Sequence, residues 1–133
     1  MSIDEEFEAR TTEEFAAIYS ASTPIFKGIL NEIRELSKKK SDATMNAGKV
    51  KMVNRVLADL LLFLKGEPAG KYLELLDDES LPQMSDAVLT MVQYESALHA
   101  FQVRYFRSFR GSKYWITHER VAIWKSKYEG DEG

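Results

Sequence analysis

The sequence predicts an all-α protein, a single-domain antiparallel helical bundle of five to six helices over residues 1–133. Three observations carry that expectation. Apolar residues recur three and four apart through several long stretches, which is the spacing of one helix face. No stretch sustains the alternation of a half-buried strand. Only 3 prolines and 7 glycines punctuate 133 residues, too few for a turn-dense β-sandwich, while 44% hydrophobic residues supply a core.

Each element follows in order. Residues 1–10 show no firm periodicity and read as a frayed end. Thr11 and Glu14, three apart, form a capping-box pattern that opens a short helix over residues 12–20 and sets Phe15, Ile18 and Tyr19 on neighbouring faces. Thr23-Pro24 reads as the next start, because proline suits a first helical turn whose N–H is unpaired anyway. From there Ile25, Phe26, Ile29, Leu30, Ile33 and Leu36 keep helical spacing to about Lys40. Ser41-Asp42 then reads as a cap for the most hydrophobic helix, whose apolar positions from Met45 to Leu64 cover roughly 160° at 100° per residue. So wide a face predicts a central helix with more than one neighbour.

Gly66 and Pro68 end that helix, and a shorter one is expected from Pro68 to about Leu76. After the loop Asp77–Pro82, Ser80 or Ser85 opens the longest helix, which runs to about Phe109 and is closed by Gly111. A last helix after Gly111-Ser112 aligns Tyr114, Val121, Trp124 and Tyr128, and residues 129–133 read as a frayed acidic tail.

Composition narrows the function classes. Zero cysteine excludes a disulfide scaffold, thiol catalysis and thiolate metal sites. A net charge of −3 excludes a uniformly basic nucleic-acid binder. The acidic start, Met1 to Glu6, has neither the basic nor the apolar region of a signal peptide. The most apolar run, Val56 to Leu64, contains Asp59 and is far short of the ~20 residues of a membrane span. The chain therefore reads as a cytoplasmic protein with no membrane partner.

Sites of chemistry are sparse. Glu95 and His99 lie four apart on one helix, inside the arc of Val88, Val92 and Phe106, and read as a buried polar pair. A carboxylate there could orient the ring or share a metal, yet the Glu-x-x-His motif and companion carboxylates of di-metal bundles are missing. The simpler expectation is an ion pair at the core edge, reaching Arg55 or a lysine of a neighbouring helix. His118-Glu119 lacks the second histidine of a zincin, since position 122 is Ala. Gly48-Lys49 has no upstream glycine loop, and Asp77-Asp78-Glu79 does not follow an EF-hand pattern. No catalytic residue, metal ligand or cofactor is expected.

The C-terminal third carries more. Residues 101–128 hold Arg104, Arg107, Arg110, Lys113, Arg120, Lys125 and Lys127 against the single acid Glu119, a balance of +6. Between them lie Phe101, Tyr105, Phe106, Phe109, Tyr114, Trp115, Trp124 and Tyr128. Arginine with Tyr and Trp anchors protein interfaces; phosphate contact with base stacking uses the same set; a solvated helix face beside a core would also look so. Lys38, Lys39, Lys40, Lys49 and Lys51 against Asp42 make a second basic run of +4. Residues 1–35 and 52–100 each carry eight acids and three bases, a segregation that favours steered docking. The expected function is that of a non-enzymatic interaction protein, a homo-oligomer or an accessory subunit of a larger complex. Its surface would comprise Lys38, Lys39, Lys40, Arg104, Arg107, Arg110, Lys113, Trp115, Arg120 and Lys127. Trp115 is the expected anchor, because it falls outside the Tyr114/Val121/Trp124/Tyr128 stripe. The alternative is a nucleic-acid-binding accessory protein using two basic patches, Lys38–Lys51 and Arg104–Lys127, which would fuse into one groove only if that helix junction lay beside the C-terminal helices.

Overall fold

The structure, a computed structural model, describes residues 1–129. Its elements are α1 (Ile3–Glu6), α2 (Glu13–Lys39), α3 (Ala47–Leu64), a 3-10 turn (Pro68–Gly70), α4 (Met84–Tyr105), β1 (Phe106–Phe109), β2 (Ser112–Trp115) and α5 (His118–Tyr128). The protein is mostly helical, and the all-α expectation is corrected by one antiparallel hairpin.

One 27-residue helix, α2, replaces the two expected over residues 12–40. Thr12 caps it by accepting from Phe15 N–H, and Thr23 is buried inside it rather than capping a new start. Pro24 removes a backbone donor from the helix interior, a defect of about 3 kcal/mol. Packing outweighs it. Ala16, Thr23, Phe26, Leu30 and Ile33 are buried, with Tyr19 half-buried, so the inward stripe crosses Pro24 without a break.

Ser41-Asp42 does not cap α3; Asn46 does, through Lys49 N–H at 2.8 Å. The segment between instead splices onto the entry of α4. Met45 N–H donates to Pro82 C=O (2.9 Å), Met84 N–H to Ala43 C=O (2.8 Å) and Ser85 N–H to Ser41 C=O (3.0 Å). Burial of Met45 drives this choice.

The helix expected over residues 68–76 shrinks to the 3-10 turn. Gly70 lies so close to the Leu64 carbonyl that a Cβ would overlap it. Beyond it the chain runs without helix, and Asn54 holds Leu76 through both its backbone groups (2.9 and 2.8 Å). The Tyr94 hydroxyl donates to Glu74 C=O at 2.8 Å.

Around this frame α2 meets α3 and α4 in opposed directions. Phe15 lies near Phe63, Tyr19 stacks on Phe101 (5.6 Å) and Phe26 packs beside Tyr94. The main core is built of Leu30, Val53, Leu57, Leu60, Met91, Leu98 and their neighbours. A second, smaller cluster joins Ile3, Phe7, Ile116, Val121 and Trp124. Residues 1–10 are therefore not frayed: Phe7 is fully buried. Of the expected C-terminal fray only Glu129 is described, and its carboxylate accepts from Ile3 N–H at 2.9 Å; residues 130–133 lie outside the described residues.

The helix N-termini of α2 and α5 meet side by side. Thr11 and Thr117 form a parallel bridge, with Thr11 N–H to Ile116 C=O and His118 N–H to Thr11 C=O, both 2.9 Å. Like dipole ends repel, and Glu13 and Glu119 answer them. The Thr117 hydroxyl donates to Glu13 (2.7 Å), while Glu119 accepts from Glu13 N–H (3.1 Å).

Candidate interaction surface

Sequence dictates the hairpin at the C-terminal end through one turn. Arg110 and Gly111 both have positive φ, 51° and 87°, as a two-residue hairpin turn requires. Gly111 adopts this freely, whereas Arg110 does so against its Cβ, at about 1 kcal/mol. The register sets Phe106 opposite Trp115 and Arg107 opposite Tyr114, so α4 stops at Tyr105 rather than Phe109. Opposed residues share a face. Trp115 therefore turns to the main core with Phe106 packed on it, while Phe109 and Tyr114 turn to the second cluster with Trp124 and Tyr128.

Trp115, the expected anchor, is half-buried and packs against the edge of the main core. Its indole packs on Tyr19 (4.8 Å), Phe106 (5.0 Å) and Phe101 (5.7 Å). It left the helical stripe because it lies on a strand, one face over from Tyr114.

The cations divide into two groups. Arg104 pairs with Glu67 (3.2 Å), Arg120 with Glu13 (3.6 Å) and Lys125 with Asp4 (2.7 Å). Asp4 also takes Arg10 at 2.6 Å, and the Lys125 and Arg10 hydrogen bonds hold its carboxyl below its ordinary 3.8. Arg107, Arg110, Lys113 and Lys127 have no carboxylate partner among the described residues. Arg110 lies over the Tyr128 ring at 3.8 Å and near Phe109 at 5.5 Å. Lys127 approaches the same Tyr128 ring at 5.2 Å. Arg107 lies over Phe7 at 5.2 Å and donates to Glu6 C=O at 3.0 Å. Lys113 is on the other face, 5.9 Å from Phe106. Aromatic support fixes the guanidinium of Arg110 while its N–H edge stays exposed, a geometry suited to carboxylates.

The two basic runs do not meet. Lys38, Lys39 and Lys40 stand at the C-terminal end of α2, whose N-terminal end carries α5, about 39 Å away along the helix axis. Lys38 is also paired with Glu35 at 2.9 Å and depresses that carboxyl. The condition for one fused groove is therefore not met.

Glu95 and His99 are not a buried pair. His99 is exposed, Glu95 is half-exposed and reaches Arg34 of α2 at 3.5 Å, and the two do not hydrogen-bond to each other. They lie on the rim of a hollow of about 240 Å³ with Tyr19, Lys27 and Gln102. The core-facing stripe of α4 is Tyr94, Ala97, Leu98 and Phe101, which rotates both outward. Among the described residues, no three His, Asp or Glu side chains converge as a metal site would need, and no helix is long and apolar enough to cross a membrane.

Sequence reasoning missed Phe7 and Glu6 as supports of this surface. The signal was present in Ser2 and Glu5, whose three-residue spacing marks a helix start; Ser2 accepts from Glu5 N–H at 3.2 Å. No known family model matches the chain, and no curated protein or solved structure was found to resemble it.

Proposed function

We propose that the chain is one antiparallel helical bundle acting as a non-enzymatic interaction protein, which binds an acidic protein surface through the hairpin and α5. One observation carries the reading: Arg110 occupies a left-handed turn position that disfavours it, and its guanidinium rests on Tyr128 with no carboxylate of its own among the described residues. Strain retained beside an unanswered charge points to use of that charge. Lys127 shares the Tyr128 ring with it, Arg107 lies on the same face of the hairpin over Phe7, and Lys113 stands on the opposite face. The nucleic-acid alternative is weaker on the same grounds. Phe109 is stacked on Trp124, Phe7 packs against both at an angle, and Tyr128 lies under Arg110, so these rings are already engaged with one another rather than open to a base.

Arg110→Asn separates the charge from the fold, because asparagine tolerates positive φ. Affinity capture with wild-type and Arg110→Asn baits is expected to show an acidic protein retained by the first and weakened at least ~tenfold on the second, about 1.4 kcal/mol. Unfolding stability stays level or rises. Equal capture by both baits overturns the reading. A DNA and RNA panel at two salt concentrations tests the alternative: a steep salt slope supports it, and no binding at low salt removes it.

A further inference from the structure

The side of α3 turned away from α2 and α4 carries a pattern that the fold does not use. Its exposed seam reads Gly48, Met52, Arg55, Asp59, Leu62, with Gly66 two residues past the helix. The intervals are four, three, four, three and four, so the seam has the spacing of a two-heptad contact and reads the same from either end. Reversed upon itself about position 57, it sets Arg55 opposite Asp59, Met52 opposite Leu62 and Gly48 opposite Gly66.

We infer that α3 is the interface of a homodimer, in which a second copy lies antiparallel along this seam. Met52 and Leu62, 42% and 62% exposed, are apolar side chains that burial against each other would take from water. Arg55 and Asp59 are exposed, and neither has an ion-pair partner among the described residues. Across the twofold each would meet the opposite charge twice. A parallel pairing would set Arg55 on Arg55 and Asp59 on Asp59, so the charges select the antiparallel arrangement and its register.

The two glycines fit the same contact. A Cβ at Gly66 would meet nothing within 4 Å, and one at Gly48 only its own Asn46 cap at 3.4 Å. Neither has the positive φ that demands glycine. Their bareness lets the ends of two helices approach. The seam is about 27 Å long. Beside it lie hollows of about 690 and 540 Å³, between α3 and residues 70–78, which share Ala58. Lys65 lines the first with Glu74, and Lys51 the second with Asp78, so own-chain acids line the same hollows as the lysines that would face each other. Two heptads per copy is a small interface, and association is expected on the order of micromolar.

This dimer is independent of the hairpin surface, and charge exchange tests it. Sedimentation across a concentration series should show a wild-type monomer–dimer equilibrium. Arg55→Asp and Asp59→Arg should each weaken it at least ~tenfold, because each creates two like-charge pairs per dimer. An equimolar mixture of the two variants restores both opposite pairs and should recover the dimer. Both residues are exposed, so circular dichroism should be unchanged. A wild-type protein that stays monomeric up to about millimolar overturns the inference. So do a dimer indifferent to both reversals and reversals that the mixture does not rescue. A dimer lost in Arg110→Asn but not in the α3 variants also overturns it, and moves self-association to the hairpin.

Discussion

Arg110 and Pro24 both occupy backbone positions that their residue types disfavour, and their settings differ. Arg110 sits at an exposed tip over the Tyr128 ring, where its side chain is open to an outward contact. Pro24 sits on the solvent side of α2 and contributes no buried surface there. Its missing N–H takes the helical donor from the Ser20 carbonyl, and the Thr23 hydroxyl beside it is buried without a hydrogen-bond partner among the described residues. Pro24→Ala restores the backbone bond without touching the core. It is expected to stabilise the protein by about 1–3 kcal/mol, read as a higher denaturant midpoint at unchanged m-value. An unchanged midpoint would mean that the helix has already relaxed around the ring. The inward stripe across Pro24 was legible as residues three and four apart; the local Thr-Pro start signal hid it, because packing over 27 residues outweighs one cap.

At the scale of elements, α1 and the hairpin depend on each other through Phe7, which packs on Phe109 and Trp124 at 5.7 Å. Phe7→Ala removes the centre of the second cluster, at a cost of about 3 kcal/mol. Amide exchange is expected to rise in α1, the hairpin and α5 together while α3 stays protected. Equal loss of protection in α3 would show one cooperative unit instead. The hairpin was the hardest element to read. Phe101, Tyr105, Phe106 and Phe109 continue the apolar spacing of α4, so periodicity alone extends the helix through them. The strand exists because Trp115 returns opposite Phe106, a pairing that no local window contains. By contrast α3 and most of α4 were legible, since their buried stripes keep one period from end to end.

For the whole molecule, the near-neutral total charge conceals two cationic runs separated by the length of α2. The cations themselves were legible as a count, but which of them remain unpaired was not: Glu67, Glu13 and Asp4 arrive from far along the chain to take Arg104, Arg120 and Lys125. Alkaline pH probes the integrity of the entire core. Burial pushes the hydroxyls of Tyr94 and Tyr105 from 10 to about 12, with Glu74 and Glu67 respectively adding to the effect. The folded state then holds protons that unfolded tyrosines release near 10, so stability is intact below pH 10 and falls as pH rises towards 12. Tyrosinate absorbance is expected to report a late fraction that titrates together with loss of helical circular dichroism; full titration near pH 10 with the helix intact would contradict it. The contact between Ile3 and Glu129 spans 126 residues of chain. Closing it costs more loop entropy than closing the shorter loops that join α2, α3 and α4, so the two ends are expected to be the last layer to assemble and the first to open. A partner gripping the hairpin would act as a clasp on that layer, slowing the release of both ends at once.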